Sequence, residues 1–304
     1  MILGRLLSLI LWLLPQHGIS RFIHRLARWR FRPWKNALIR GFSRLYQVDT
    51  GEAVNSDPAS YEHFNAFFTR ALQPGMRPLD NTPGAIISPV DGAISQIGAI
   101  TDGEVVQAKR RRFSVRDLLG GDPRIAERFG AGHFATLYLS PKDYHRIHMP
   151  CDGQLERMIH VPGRLLGVSD PLARHVRSLF ARNERVVTLF EGPRGPMAMV
   201  LVGAIGVGSI ETVWSGEVTP PRGQRIRQWD YRRRRIPLST GEEMGRFNLG
   251  STVILLFGEQ AGVRWSEERT AGTPIRLGER LGGFEPPSPE RSGLIPGESH
   301  HRGQ

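Results

Sequence analysis

One apolar run near the carboxyl end constrains the fold more than any other part of the chain. Five consecutive apolar residues, 253–257, follow the tetrad Leu249-Gly250-Ser251-Thr252. A short apolar run that follows small and polar residues predicts a buried β-strand. The tetrad lies where this strand begins, and packed neighbours at such a place can hold a strained backbone. We therefore expect a sheet built around this strand.

The Gly250–Ser251 peptide bond is a candidate site of self-cleavage. Gly250 has no Cβ to shield its carbonyl carbon, so the Ser251 hydroxyl can attack it and shift the acyl group from nitrogen to oxygen. The product of that shift is an ester in the main chain. Taken alone, the tetrad is better explained as an ordinary junction between a loop and a strand.

Short β-branched segments separated by turn residues dominate the chain after Gly84. Such segments predict an antiparallel, barrel-like or sandwich-like β core with helices added, and hence an α+β fold. The predicted strands include residues 85–87, 93–97, 105–106, 135–139, 186–190 and 197–205. No glycine-rich phosphate loop follows a strand, and the sequence has no internal repeat.

Basic residues are concentrated at the amino end. The chain has 41 basic and 29 acidic residues, a net charge of +12, which indicates an anionic partner. No acidic residue precedes Asp49, whereas nine basic residues do. The single cysteine, Cys151, excludes an intrachain disulfide and is typical of a reducing compartment. Its interpretation as a thiol nucleophile is less favoured than a non-catalytic one.

Residues 2–14 form a mostly apolar run that ends at Pro15. A helix of that length reaches about 20 Å, short of the roughly 30 Å hydrocarbon core of a bilayer, so we do not expect it to span. The alternative is the apolar region of a signal peptide. No cleavage site with two small residues follows the run, which counts against that alternative.

The next segment predicts a basic amphipathic helix. Apolar residues recur at helical spacing from Ile19 to Trp29, and arginines recur on another face. This pattern is typical of a helix that lies in a membrane interface, where each basic group near an anionic leaflet contributes on the order of 1 kcal/mol. We therefore expect residues 1–48 to form a helical membrane-binding region. Packing of this helix on its own protein is the alternative.

Three other segments have simpler interpretations. An aromatic-rich stretch at residues 61–68 predicts a short helix that packs on the core. Residues 284–304 are rich in Pro, Ser, Gly and charge, which predicts a disordered tail. The arginine run 232–235 is either a solvated loop or a loop that meets lipid phosphates. No nucleic-acid-binding module accompanies these charges, so nucleic acid is not an expected partner.

Two motifs carry the titratable side chains of interest. The segment Ser88-Pro89-Val90-Asp91-Gly92 presents a carboxylate in a tight turn, and His145 and His148 lie three residues apart. On a helix that spacing would place both imidazoles on one face. A carboxylate, an imidazole and a hydroxyl together can activate a serine. The two histidines with Asp91 could also bind a metal in a hydrolase, but no further ligand cluster completes that site and no metal is expected.

The motifs occur together in an order that resembles phosphatidylserine decarboxylases, a pyruvoyl-dependent family. The resemblance covers about residues 49–283, which we interpret as a catalytic domain. It rests on the tetrad, the 88–92 turn and Tyr144-His145-Arg146-Ile147-His148-Met149-Pro150, and on residues 64–70, 179–185 and 242–245. It implies conversion of phosphatidylserine to phosphatidylethanolamine and CO2 through a Schiff base with a pyruvoyl group made from Ser251. Cleavage between Gly250 and Ser251 would leave a large and a small chain.

The resemblance also implies roles for the side chains. Asp91, His148 and Ser251 would form the self-cleavage set, and His145 would stay with the finished cofactor and serve decarboxylation. The expected partners are phosphatidylserine, an anionic membrane surface and the two cleaved chains, with a homodimer as a further candidate. The expected location is the cytoplasmic face of the cell membrane, as a peripheral protein. The alternatives are a pyruvoyl-dependent decarboxylase of a soluble amino acid and a metal-dependent hydrolase.

Overall fold

The computed structural model describes residues 16–108, 111–168, 170–204, 209–220, 224–250 and 252–286. The apolar run at 2–14, the side chain of Ser251 and most of the predicted tail lie outside these residues.

Short helices precede and interrupt the strands. The α-helices of the described ranges are α1 (Gln16–Ala27), α2 (Arg32–Tyr46), α3 (Phe64–Phe68), α4 (Val115–Leu118), α5 (Pro123–Glu127), α6 (Asp170–His175) and α7 (Leu179–Arg182). Single 3-10 turns occupy Pro58–Ser60 and Glu259–Ala261. Pro33 lies in the first turn of α2. A helix tolerates proline there, because the first backbone N–H groups have no partner inside the helix.

The strands, in chain order, are β1 (Ala85–Ile87), β2 (Gly92–Ala99), β3 (Glu104–Ala108), β4 (Arg111–Ser114), β5 (His133–Tyr138), β6 (Arg146–His148), β7 (Gly153–Val161), β8 (Arg185–Gly192), β9 (Gly195–Val202), β10 (Ile210–Thr212), β11 (Gly216–Glu217), β12 (Arg227–Asp230), β13 (Ile236–Leu238), β14 (Glu243–Phe247), β15 (Thr252–Phe257), β16 (Val263–Trp265), β17 (Pro274–Ile275) and β18 (Arg280–Phe284). The strands expected from the sequence are present, with bounds that differ by a few residues.

The predicted apolar strand is β15, in the interior of the largest sheet. That sheet has the order β12-β7-β8-β9-β15-β5-β2-β17, with β13 also paired to β7. All six residues of β15 are buried, and each pairs antiparallel with both β9 and β5. Because side chains alternate along a strand, Val253, Leu255 and Phe257 enter one apolar core while Ile254 and Leu256 enter a second core on the opposite face.

The other sheets pack against the first of these cores. A four-stranded sheet has the order β11-β10-β14-β6, and a three-stranded sheet has the order β1-β18-β16. Both contribute buried apolar side chains to the core that receives Val253, among them Phe247 and Leu281. The α+β class with antiparallel sheets is confirmed. The barrel-like alternative is wrong for the described strands, because the order of the largest sheet is open from β12 to β17.

The amino-terminal helices pack through a third, aromatic cluster that includes Ile39, Phe64 and Phe68. Helix α1 turns polar and small residues inward, with Gln16, Ser20 and Ala27 buried. Within the described part of the chain, every helix is too short or too polar to cross a bilayer.

Candidate active site

The backbone that leads into β15 is strained. Leu249 has a φ of 110° and Gly250 a φ of 26°, both in the region that L-residues rarely adopt. A non-glycine residue held there costs about 1–3 kcal/mol, and such strain persists only where the surroundings fix it. The preceding Asn248 supplies that restraint, because its buried amide donates to Ser209 Oγ at 2.7 Å and accepts from Asn65 at 2.9 Å.

His145 lies beside this strained backbone. Its imidazole is fully buried and packs on the Phe68 ring, with the ring centroids 4.1 Å apart. Nδ1 bonds the Asp143 carbonyl oxygen at 2.8 Å. A carbonyl oxygen only accepts, so Nδ1 carries the hydrogen and Nε2 presents a lone pair. That Nε2 has no hydrogen-bond partner among the described residues, and a Cβ added to Gly250 would lie 3.4 Å from it. Burial lowers the pKa of His145 to about 3.

His148 is held differently, in strand β6. Its Nδ1 bonds the Gly241 carbonyl oxygen at 2.8 Å, and its Nε2 bonds the Tyr144 hydroxyl at 3.2 Å. Burial lowers the pKa of His148 as well. The two histidines therefore lie on an extended segment and do not share a helix face, because residues three apart in a strand point to opposite sides.

The structure brings the Asp91 turn against β6 but does not join Asp91 to His148. The backbone N–H of His148 donates to the Pro89 carbonyl oxygen at 2.9 Å, which places the turn beside the strand. The Asp91 carboxylate instead accepts from Arg77 Nη2 at 2.6 Å and from the Leu277 backbone N–H at 2.8 Å. Within the described ranges no hydrogen bond links this carboxylate to either imidazole. The Ser251 hydroxyl lies outside those ranges.

A cavity of about 570 Å³ opens beside these groups. Its lining includes Asp91, Tyr144 and Arg77, together with Arg70 at the end of α3. Sequence reasoning assigned no chemistry to Arg70 or Arg77. Arg70 belongs to one of the segments that carry the family resemblance, which was the available signal. Nothing in the sequence singles out Arg77.

A chain of polar side chains connects helix α1 to the strained backbone. From Asn248 it passes through Ser209, whose hydroxyl donates to Glu217 at 2.6 Å. Glu217 in turn bonds His24 at 2.9 Å and Arg28 at 2.8 Å. Burial would raise the pKa of Glu217, but the hydrogen bonds from His24 and Ser209 and the charge of Arg28 bring it down to about 2. The amino-terminal helix thus contacts the network that restrains Asn248.

Other candidate chemistry finds no support in the geometry. In the part of the chain that the structure describes, no three His, Cys, Asp or Glu side chains come together as a metal site requires. Cys151 is buried against Met197, with the two sulfurs 3.6 Å apart, and burial raises the pKa of its thiol to about 12. A thiol in that state is a poor nucleophile.

A strained backbone at Leu249 and Gly250, beside an imidazole nitrogen with no partner among the described residues, is what we expect of one class of protein, the chains that process themselves. Comparison with known families gives the particular one. The family model described as phosphatidylserine decarboxylase matches residues 64–283, and a second model, described as PSD, matches residues 6–47. The chain therefore belongs to the phosphatidylserine decarboxylase family.

Individual relatives agree with the family model over almost their whole length. A protein of Pseudomonas fluorescens is 55% identical over 280 residues, which is 91% of this chain and 97% of the relative. A Methylococcus capsulatus protein is 54% identical over 91% of this chain and 96% of the relative. An Azotobacter vinelandii protein is 56% identical over 89% of this chain and 95% of the relative. Each of the three is called a phosphatidylserine decarboxylase proenzyme.

Proposed function

We propose that this chain is a carboxy-lyase that decarboxylates phosphatidylserine at a membrane surface, after cutting itself between Gly250 and Ser251. In a member of this family, the observation that carries the proposal is Nε2 of His145, which lies beside Gly250 and bonds no described residue. The strained junction and this open imidazole fit a group made from Ser251. A pyruvoyl group there supplies the carbonyl that binds the substrate amine and accepts the electron pair released with CO2.

Self-cleavage begins with attack of the Ser251 hydroxyl on the Gly250 carbonyl carbon. The ester that forms breaks by elimination, which frees the Gly250 carboxylate and leaves a dehydroalanine at position 251. Hydrolysis of that residue would give the pyruvoyl group and release ammonia. We assign His148 as the base, with Asp91 as its supporting charge. For this role, Nε2 of His148 must break its hydrogen bond with the Tyr144 hydroxyl and bond the Ser251 hydroxyl instead. Because the Asp91 carboxylate is bonded to Arg77, it would act on His148 through its charge and not through a hydrogen bond. The left-handed φ angles at Leu249 and Gly250 support the assignment of the bond that breaks.

His145 is the proposed proton carrier in decarboxylation. Its Nε2 lone pair can take a proton from the substrate ammonium, which must lose one before the amine reacts, and can return that proton to the substrate carbon after CO2 leaves. The Asp143 carbonyl oxygen fixes the tautomer by accepting from Nδ1. The Phe68 ring on one face keeps water from the imidazole.

The amino-terminal helices are the proposed membrane-binding surface, at the cytoplasmic face of the cell membrane. Phe22, Trp29, Phe31 and Leu45 are all more than half exposed, and Leu45 reaches 74%. Helix α1 buries Gln16 and Ser20 but leaves Phe22 exposed and its other large apolar residues only half-buried, so apolar surface of this helix stays open to a membrane. We therefore retain residues 1–48 as the membrane-binding region, 49–283 as the catalytic domain and 284–304 as a tail. We also propose that the protein forms a homodimer.

The test is the fate of the chain on a denaturing gel, with mass spectrometry of the fragments. We expect two fragments, residues 1–250 and 251–304, and decarboxylation of phosphatidylserine in vesicles but not of free serine. Ser251→Ala lacks the attacking hydroxyl and should remain one inactive chain. Thr252→Val, which removes the neighbouring hydroxyl, should still be cut. An intact and fully active wild-type chain would refute the proposal.

A further inference from the structure

Arg70 is a buried cation that forms no ion pair with any described residue. Its side chain is 5% exposed, and its Nη2 donates to the Lys142 carbonyl oxygen at 3.2 Å. Its Nε and Nη1 have no hydrogen-bond partner in the described ranges. No carboxylate of the described residues lies within ion-pair distance of it, and its one close aromatic contact is the Phe67 ring, 5.5 Å away. Burial lowers the pKa of its guanidinium.

Such a group is costly for a folded protein to keep. Buried charges are almost always paired, and a buried N–H that bonds nothing loses its hydration without compensation. Arg70 lines the cavity of about 570 Å³ that adjoins the Asp91 turn. A buried guanidinium that lies beside a cavity and keeps unbonded N–H groups is suited to bind an oxyanion.

The other arginines that line the cavity are either paired with carboxylates or largely exposed to solvent. Arg77 bonds both Asp91 and Glu52, each at 2.6 Å. Arg276 is 63% exposed and lies 3.6 Å from Glu52. Among the described arginines that line this cavity, Arg70 is therefore the one both buried and without a carboxylate partner.

Arg70 also lies close to the reacting groups. It bonds the carbonyl oxygen of Lys142, and His145 bonds that of the next residue, Asp143. Consecutive Cα atoms are about 3.8 Å apart, so one short turn holds the guanidinium and the imidazole. The imidazole in turn lies beside Gly250. A serine headgroup carries its amine and its phosphate a few bonds apart, which suits this spacing.

We infer that Arg70 binds the phosphodiester of the lipid headgroup and so positions the serine moiety at residue 251. This inference rests on the proposed function and adds a binding role for the headgroup. The substrate carboxylate is the less suitable ligand, because an arginine that stabilises it in the ground state would oppose loss of CO2. The phosphodiester keeps its charge throughout the reaction. An interaction with it stabilises substrate and transition state alike and changes KM more than kcat.

The experiment compares Arg70→Gln with wild-type full-length enzyme. Steady-state rates are measured with a water-soluble short-chain phosphatidylserine. Binding of glycerophosphoethanolamine, which has the phosphodiester but no carboxylate, is measured by calorimetry. We expect KM to rise about tenfold to a hundredfold, the range for a lost pair of charged hydrogen bonds, with a much smaller change in kcat. Binding of glycerophosphoethanolamine should weaken by a similar factor.

Matched variants separate this role from a structural one. Arg185→Gln removes another buried arginine, remote from the cavity lining, and should leave KM and glycerophosphoethanolamine binding unchanged. Arg70→Lys retains the charge but not the fork of donors, and we expect it to mature and to show an intermediate KM. The proposal is overturned if Arg70→Gln binds glycerophosphoethanolamine like wild type, if Arg185→Gln raises KM equally, or if neither Arg70 variant self-cleaves. Because the binding measurement needs no turnover, a wild-type chain that binds this ligand but shows no decarboxylation would refute the proposed function and leave the phosphodiester site standing.

Discussion

Two buried polar regions of this protein differ in how completely their hydrogen bonds are made. In the first, which we call the Asn183 cluster, Gln107, Asn183 and Arg185 bond backbone groups. The Asn183 side chain accepts from the Leu166 backbone N–H and donates to the carbonyl oxygens of Leu166 and Gly203. The Arg185 guanidinium donates to three carbonyl oxygens. In the second, the Gly250 site, Arg70 and His145 each have nitrogen atoms that bond nothing in the part of the chain that the structure describes.

We interpret the Asn183 cluster as polar groups that hold the fold and, under the proposals above, the Gly250 site as polar groups that a substrate would bond. In the Asn183 cluster each donor replaces a lost water with a carbonyl oxygen, so burial is compensated inside the chain. In the Gly250 site the compensation is missing, and the same site carries the strained φ angles of Leu249 and Gly250. Unpaired polar groups and backbone strain together are typical of functional sites, where stability is reduced in favour of activity.

The largest expected effect separates the two histidines. His145→Ala should still cut itself but lose decarboxylation by about a hundredfold to ten thousandfold, the usual contribution of a positioned proton carrier. His148→Ala should stay uncut. Gel electrophoresis measures the first property and CO2 release the second. If both variants remain uncut, the division of roles between the histidines is wrong.

Replacement of Arg185 should lower the stability and leave KM unchanged, whereas replacement of Arg70 should raise KM with little loss of stability. Arg185→Met leaves three buried carbonyl oxygens without donors, and we expect the free energy of unfolding to fall by about 3 kcal/mol with KM unchanged. Arg70→Met removes a charge that the fold leaves unpaired, so it should cost much less or even stabilise. Urea unfolding of both variants in the uncut Ser251→Ala background makes the comparison. Equal losses would mean that Arg70 is as structural as Arg185.

The stability of the Gly250 site should depend on pH through His145. Its pKa is about 3 when folded and about 6.5 when unfolded. Between these values the unfolded chain binds a proton that the folded chain does not. The stability is therefore complete above pH 6.5 and falls on acidification, by up to about 1.4 kcal/mol per pH unit for this group. Urea unfolding from pH 7 to pH 4 should show a smaller slope for His145→Asn than for the parent chain. An unchanged slope would place His145 in contact with water.

The smallest effect concerns the Tyr144 hydroxyl, which forms a hydrogen bond with Nε2 of His148. Tyr144→Phe removes one hydrogen bond, worth about 1 kcal/mol, and leaves Nε2 of His148 open. Self-cleavage should therefore proceed at least as fast as in the parent chain, followed as the disappearance of the uncut band with time. A block of cleavage would show that Tyr144 itself takes part in the reaction.

Local patterns predicted much of the fold, and long-range contacts account for what they missed. The apolar run at 253–257 was sufficient to predict β15, because burial on both faces leaves a continuous apolar sequence. The spacing of His145 and His148 suggested a shared helix face, yet β14 pairs with the second histidine and holds it in a strand. Asp91 was expected to support an imidazole, but Arg77, fourteen residues away in the chain, bonds it.

The site was recognised from motifs whose partners are distant in the sequence. A backbone hydrogen bond from His148 to Pro89 brings the Asp91 turn and His148 together, and the spacing of either motif gives no information on that contact. Two nitrogens of Arg70 lack a partner because no surrounding described element places a hydrogen-bond acceptor beside them. No local pattern encodes such an absence, so this part of the site required the three-dimensional structure.

The interior position of β15 has a consequence for how the molecule can be assembled. A cut after Gly250 would leave a small chain that supplies β15 and β17 to the largest sheet and β16 and β18 to another. Twelve backbone pairings along β15 would hold this chain in place, six to each neighbouring strand. The uncut chain folds as one molecule, whereas unfolded cut chains would first have to meet. Recovery from denaturation would then depend on protein concentration after the cut and not before it.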